Sequence, residues 1–99
     1  MTATTDLVPV TKDRLKKPKK YCCVGLNDDV TNMDFVVKMI QKHFGKPKEE
    51  AYMLMRQIHE QGSAVLGIFD YEVAEDKAYA VMSEAAAKNY PFVVSVEEA

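Results

Sequence analysis

An apolar run, Tyr21–Leu26, passes directly into a polar corner, Asn27–Asp29, and then into apolar residues at helical spacing. The run has the length and composition of a buried strand. From Met33 to Phe44 the apolar residues recur three and four positions apart, which is the period of an amphipathic helix. Side chains in a turn between a strand and a helix are held firmly while they face solvent. This junction predicts a mixed fold with a rigid polar corner.

Glycine and proline mark the ends of the predicted helices. Gly45 ends the first helix, Pro47 can begin the second, and Gly62 ends the second. Thr31–Asp34 resembles a capping box in which Asp replaces the usual Glu. Asp70 is expected to cap a third helix.

Two further apolar strands are predicted at Ala64–Phe69 and Phe92–Val96. The third helix lies between them and is broken at Asn89–Pro91. The order is therefore strand, helix, helix, strand, helix, strand. It predicts an α+β fold, a small β-α-α-β-α-β sandwich in which three helices cover one face of a three-stranded antiparallel sheet. At 99 residues the chain has room for one such domain, predicted over residues 21–99.

Residues 1–20 are predicted to form a flexible N-terminal arm. They hold a basic run, Lys12–Lys20, and show no hydrophobic periodicity. A solvated tail without a role is the plain alternative. Nucleic acid is not expected as a partner, because no aromatic residue interleaves with these charges and the formal net charge of the chain is -2. A membrane is not expected either, because no apolar run approaches the roughly 20 residues that a span requires.

The cysteines and histidines do not form a recognisable metal or redox motif. Cys22 and Cys23 are adjacent on a predicted strand, so their side chains point to opposite faces and are poorly placed to pair. Neither His43 nor His59 lies at zinc-finger spacing from them. No metal or other cofactor is therefore expected. A reducing compartment follows as the default, either the cytoplasm or, as the alternative, the plastid stroma.

Acidic and amide side chains at the corner are the first candidates for a binding site. Asn27, Asp28 and Asp29 offer acceptors for a cation, whereas the plain alternative makes the two acids turn and cap residues. They do not begin an EF-hand, because the following residues lack its ladder of oxygens and its distal Glu. A general acid–base pair is disfavoured because no nucleophile is evident.

The second helix supplies the other half of the candidate site. Met55, Ile58 and His59 lie on it, and Met33 opens the first helix. Together with the corner they suggest a cup with acceptors at its rim and thioethers and aliphatic groups inside. Such a cup fits an ammonium group carried on a bulky apolar side chain, as at the free N-terminus of a protein. The plain alternative makes the methionines core residues and the histidine a helix-end residue.

In their order and spacing these residues resemble the ClpS family, the adaptors that bring N-end-rule substrates to a Clp protease. The resemblance is carried by the segments Leu26–Val36, Met55–Gly62, Glu72–Lys77 and Pro91–Phe92. It covers the chain from Tyr21 onward, and the family fold agrees with the predicted order of elements.

The resemblance implies roles for particular residues of this chain. The groups that bind the α-amino group of the N-degron would be Asn27, Asp28 and His59. The pocket for the first side chain would be lined by Asp29, Thr31, Met33, Val36, Met55, Ile58 and Phe92. The surface that docks on the N-domain of a Clp AAA+ ATPase, ClpA or ClpC, would include Glu72 and Lys77. The arm would be the mobile extension used in substrate delivery.

Some positions depart from the family pattern. Val30 and Asn32 stand where Tyr and Pro are common, and Gly25 lies in a strand usually filled by larger apolar residues. Phe92 stands where the family often has Leu, and it is expected to narrow the pocket.

The expected function is that of a non-enzymatic adaptor that captures N-terminal Leu, Phe, Tyr or Trp and hands the protein to a Clp unfoldase. The expected partners are N-degron proteins and the ATPase, and a monomer is expected. One alternative is an interaction domain of similar fold with another partner, such as the ribosomal-stalk C-terminal domain, which needs no amine-binding rim. The other is a small hydrolase using Asp28 and His59, which lacks a nucleophile or a metal set.

Overall fold

The computed structural model describes residues 19–99. The predicted arm, residues 1–20, lies outside the described residues except for its last two. The elements follow in the order β1 (Tyr21–Leu26), α1 (Met33–Phe44), α2 (Lys48–Gln61), β2 (Ser63–Phe69), α3 (Tyr71–Ala87) and β3 (Val93–Glu98).

The α+β class, the three-stranded antiparallel sheet and the three helices are confirmed. The strand ends differ slightly from prediction. β2 begins one residue earlier, at Ser63, and β3 spans Val93–Glu98 rather than Phe92–Val96. The last strand is longer because its acidic end, Glu97 and Glu98, still pairs with β1. An apolar pattern does not indicate such an extension, since Glu is depleted in strands.

The central strand is β1, which pairs antiparallel with β2 on one side and with β3 on the other. Its last residue, Leu26, stands opposite Ser63 at the start of β2 and Val93 at the start of β3. The polar corner after Leu26 therefore leaves the sheet beside the end of α2 and the approach to β3. Residues from distant parts of the sequence meet at this end of the sheet.

The helices and one face of the sheet enclose the core. Ile40 of α1 and Val81 of α3 are fully buried in one cluster with Leu66 of β2 and Val94 of β3. In β2 the buried Leu66 is preceded by the exposed Val65, whose side chain lies on the face turned away from the helices.

The adjacent cysteines of β1 are free and differ in burial, as their opposite orientations predict. The Sγ atom of Cys23 lies in the core, 3.3 Å from the carbonyl oxygen of Ala74, whereas Cys22 is half-buried. Burial, which outweighs the nearby ammonium group of Lys77, raises the pKa of the Cys23 thiol to about 11. Cys23 therefore stays protonated at neutral pH and serves as a small apolar core residue.

The start of α1 corrects one sequence-based expectation. Asn32 is the N-cap, rather than the Thr31 that a capping box would use. The Asn32 side-chain oxygen accepts hydrogen bonds from the backbone N–H groups of Asp34 (2.8 Å) and Phe35 (3.2 Å). The N–H and the hydroxyl of Thr31 both donate to Asp28, so the Thr31 side chain is oriented toward the polar corner.

The chain reverses after each helix through left-handed or tight turns. Gly45 ends α1 at φ 64° and Gly62 ends α2 at φ 97°, as the sequence predicts. After α3 the left-handed residue is Asn89, at φ 62°, and the N–H of Tyr90 donates to the carbonyl of Ala85 at 2.8 Å. This is a Schellman turn, which directs the chain back to the sheet for β3.

Candidate functional site

The carboxylate of Asp28 fixes the corner between β1 and α1. Its Oδ1 accepts hydrogen bonds from the backbone N–H groups of Val30 (2.8 Å) and Thr31 (2.7 Å). Its Oδ2 accepts one from the Thr31 hydroxyl, at 2.8 Å. This is an Asx turn reinforced by a hydroxyl. A carboxylate has roughly four lone-pair positions, so the turn orients the group and leaves about one position for another donor.

The same hydrogen bonds keep Asp28 ionised. Partial burial by itself raises the pKa of this carboxyl, but the donors of Thr31 and Val30 outweigh it and hold the pKa below its usual range. The corner therefore carries a fixed negative charge at neutral pH, and such a charge favours a cationic ligand.

Asn27 ties the corner to the end of α2. Its backbone N–H donates to the carbonyl oxygen of Gly62 at 2.9 Å. Gly62 is the left-handed residue after α2, and its own N–H donates to the carbonyl of Ile58 at 2.9 Å. Because His59 follows Ile58, these two bonds hold the exposed imidazole near the acidic corner.

A cavity of about 150 Å³ opens beside the corner. All the residues predicted for the α-amino site and the side-chain pocket line it: Asn27, Asp28, Asp29, Thr31, Met33, Val36, Met55, Ile58, His59 and Phe92. One further lining residue, Leu26, was not predicted. The sequence feature that could have indicated Leu26 is its position as the last apolar residue of the strand before the corner.

The cavity has an apolar interior and a polar rim. Val36, Met55, Ile58 and Phe92 are buried, whereas Met33 is exposed. The rim residues with hydrogen-bonding side chains are largely open to solvent: Asn27, Asp29 and His59 are exposed, and Asp28 and Thr31 are half-buried. The arrangement can accept a ligand that is cationic at one end and apolar at the other.

Within residues 19–99, no group of three or more His, Cys, Asp or Glu side chains is arranged to hold a metal ion. The same part of the chain has no helix that is long and apolar enough to cross a membrane.

The two residues expected to dock on an ATPase lie on α3 and do not line the cavity. Glu72 is exposed in the first turn of this helix. Lys77 is half-buried, and its ammonium group donates to the carbonyl oxygen of His43 at 2.7 Å. It also stands 5.2 Å from the centre of the Phe69 ring. Lys77 therefore supports the C-terminal end of α1, a contact that sequence reasoning did not find.

Comparison with known proteins begins with the family model for the ATP-dependent Clp protease adaptor protein ClpS, which matches residues 16–95. The chain belongs to the ClpS family. The ClpS adapter protein of Rhodospirillum centenum is 40% identical over 95 residues, which cover 96% of this chain and 88% of the relative. The ClpS adapter protein of Campylobacter jejuni is 41% identical over 85 residues, covering 86% and 88%.

A solved ClpS structure is also similar to this chain. It is Agrobacterium tumefaciens ClpS2 bound to L-phenylalaninamide, with a TM-score of 0.82 and 28% sequence identity over 84% of this chain and 100% of that one. The fold is therefore the ClpS fold. Members of the ClpS family are adaptors of the Clp protease rather than proteases.

Proposed function

We propose that this protein captures chains whose first residue is Leu, Phe, Tyr or Trp and delivers them to a Clp AAA+ unfoldase for degradation. The observation that carries the proposal is a cavity of about 150 Å³ that has the anionic corner held by Asp28 at its rim and apolar side chains in its interior. An N-terminal residue carries its ammonium group and its side chain on one carbon atom. A site for it therefore needs an anionic part and an apolar part side by side.

The α-amino group is bound by Asn27, Asp28 and His59. An α-amino group has a pKa of roughly 7.7–8.0, so at neutral pH it is largely protonated and offers three donors. Asp28 supplies the opposite charge and about one acceptor position, and the side chains of Asn27 and His59 supply further acceptors. Each hydrogen bond to a charged group contributes roughly 1.5–3 kcal/mol.

The first side chain is bound in the cavity. Its walls are Val36, Met55, Ile58 and Phe92, with Met33 at the opening. Burial of a Leu or Phe side chain contributes roughly 1.5–3 kcal/mol. After the cost of ordering a peptide, affinity in the low-micromolar range is expected. L-phenylalaninamide, the ligand of the similar Agrobacterium tumefaciens protein, carries a free α-amino group and an aromatic side chain, which supports this assignment.

The decisive experiment is a titration with peptides that differ only at the first residue or in acetylation of the α-amino group. Acetylation removes the positive charge, so a Leu peptide should lose roughly tenfold to a hundredfold in affinity or more. A peptide beginning with Glu serves as the control for side-chain binding. If the acetylated Leu peptide binds within about threefold of the free peptide, the assignment of the rim is wrong.

Docking on the N-domain of ClpA or ClpC through the α3 surface completes the proposal. Glu72→Lys is the cleaner test of this surface, because Glu72 is exposed while Lys77 also holds the carbonyl of His43. The variant should lose binding to the isolated N-domain and keep its peptide affinity. Unchanged N-domain binding would remove Glu72 from the docking surface. The protein is further proposed to act as a cytoplasmic monomer, which light scattering of the purified protein and of its peptide complex tests.

A further inference from the structure

Three apolar side chains pack close to the backbone of Gly25 in β1, where glycine has no Cβ atom. A Cβ atom there would lie 2.8 Å from Cδ1 of Ile58, 3.2 Å from Cδ1 of Leu66 and 3.4 Å from Cζ of Phe92. The best separation of two such carbon atoms is roughly 3.5–4.0 Å. The backbone φ of Gly25 is not positive. What glycine provides here is therefore space rather than a special backbone conformation, and the atom nearest to an added Cβ is the tip of the Ile58 side chain, which can shift.

Two of these three side chains are also walls of the cavity. Ile58 and Phe92 line it and are buried, whereas Gly25 is not part of the lining. One side of each wall thus rests on residue 25 and the other side bounds the cavity. Because protein interiors are close-packed, atoms displaced from residue 25 move most readily into the open volume beside them. That volume is the cavity.

We propose that Gly25 is a positioning residue that sets the depth of the first-side-chain pocket and so the preference for aromatic over aliphatic first residues. The inference rests on the proposed N-degron function. With glycine at this position, the tips of Ile58 and Phe92 lie close to β1 and the pocket keeps its depth. A methyl group at residue 25 pushes the tip of Ile58 inward and closes the space between β1 and the Phe92 ring. Phe and Trp extend further from their Cβ atoms than Leu does, so they meet the displaced wall first.

Gly25→Ala tests the proposal by its effect on a ratio of affinities. Free-amine peptides beginning with Leu, Phe and Trp are titrated against the wild type and the variant, and thermal melting is measured on the same samples. The variant should lose about tenfold in affinity for Phe and Trp, and less than about threefold for Leu, since one misplaced methyl group in a pocket is worth roughly that discrimination.

Gly67→Ala is the matched control. Gly67 lies in β2, where a Cβ atom would lie 2.5 Å from Cζ of Phe69, a residue outside the cavity lining. This variant crowds an aromatic tip in the same sheet and should lower the melting temperature. It should leave the ratio of Phe to Leu affinity at the wild-type value.

A second substitution tests the route of the effect. Ile58→Val removes Cδ1, the atom nearest to the new methyl group in Gly25→Ala. The double variant should regain most of the lost Phe affinity, and a double-mutant cycle measures this coupling. Independent effects of the two substitutions would overturn the proposed route.

The outcomes separate this inference from the proposed function. If the wild type binds none of the free-amine peptides, the proposed function fails. If it binds them and a folded Gly25→Ala variant changes Leu, Phe and Trp affinity by one common factor, only the role of Gly25 is overturned. Should Gly25→Ala fail to fold, Phe92→Leu is the alternative variant. It shortens the wall that Phe92 forms, so the affinity for the Trp peptide should rise relative to the affinity for the Leu peptide. An unchanged ratio in that variant also overturns the proposal.

Discussion

At the scale of single residues, Asp28 combines a structural and an electrostatic role in one carboxylate. Asp28→Asn separates them, because the amide oxygen can still accept from the N–H groups of Val30 and Thr31 while the charge is lost. Peptide affinity should fall roughly tenfold to a hundredfold, the value of one hydrogen bond to a charged group. Calorimetric titration measures this loss. Thr31→Val, which keeps the charge and removes the hydroxyl bond, is the control and should bind more tightly than Asp28→Asn.

The depressed pKa of Asp28 also predicts how this residue stabilises the fold at different pH values. A carboxyl whose pKa is lower in the folded state stabilises the protein above its unfolded pKa of about 3.9, and the stabilisation is lost as pH falls through the folded pKa. In urea unfolding, the free energy of unfolding of the wild type should therefore exceed that of Asp28→Asn by a constant amount above about pH 5. The difference should close in stronger acid, and a difference that grows there would contradict the assignment.

Met33 and Met55 line the same cavity and differ in exposure, at 46% and 5%. Met33→Ala should open the mouth where the extra methyl group of an N-terminal Ile or Val would lie. Ile and Val peptides should gain about tenfold in affinity while the Leu peptide changes little. Met55→Ala is the contrast, because truncation of a buried Met costs roughly 2–5 kcal/mol of stability. Ile and Val peptides that bind Met33→Ala no better than wild type would show that Met33 does not gate the pocket.

At the scale of elements, a charged cluster joins the C-terminal end of α1 to α3. The Oε2 atom of Glu84 lies 2.6 Å from Nε2 of His43 and 3.0 Å from Nζ of Lys42. Hydrogen bonds from Lys42 and His43 hold the pKa of Glu84 below its usual range. Because α1 carries Met33 and Val36 at its other end, this cluster helps to orient a helix that contributes to the cavity.

Glu84→Gln should therefore destabilise the protein at neutral pH and not in acid. A lowered carboxyl pKa gives stability that is present above the unfolded pKa of about 4.3 and is lost as pH falls through the folded pKa. The urea midpoints of the wild type and of Glu84→Gln, compared at neutral pH and near pH 3, test this expectation. Glu60→Gln is the control, because its partner, Arg56, lies on the same helix. If Glu84→Gln and Glu60→Gln lose the same stability at neutral pH, the cluster does not stabilise the packing of α1 on α3.

The sequence predicts the helices and strands well because the periods of their apolar residues are unambiguous. The resemblance to the ClpS family predicts the residues that line the cavity. The missed features depend on contacts between distant segments. Lys77 reaches the carbonyl of His43 only after α3 has packed on α1. The choice of Asn32 over Thr31 as N-cap depends on which side chain the Asp28 turn has already engaged. No local pattern carries this information.

In the molecule as a whole, the cavity lies apart from Lys19 and Lys20, the described end of the predicted arm. Lys19 pairs with Glu98 at 2.9 Å and Lys20 pairs with Asp70 at 2.7 Å, and none of these residues lines the cavity. Deletion of residues 1–18 should therefore leave peptide affinity within about twofold of the full chain, since exposed ion pairs near the cut are worth about 0–1 kcal/mol.

The same deletion should abolish delivery, measured as degradation of an N-degron substrate by the reconstituted Clp ATPase and protease. A variant that keeps the arm and replaces its lysines at positions 12, 16 and 17 with Ser separates the length of the arm from its charge. The predicted role of the arm fails if the shortened protein supports degradation at the full rate, or if it no longer binds peptide.

Because β1 is the central strand, the cavity is complete only late in the synthesis of the chain. β1 pairs along its length with β3, and Phe92, which precedes β3, forms a wall of the cavity whose rim begins at Asn27. Ribosomes synthesise the acidic corner early and this wall late. A nascent chain that ends before Phe92 holds the side chains proposed to accept from an α-amino group without the wall proposed to enclose a side chain. On the proposed function, the protein can therefore select substrates only after its own translation has passed through β3.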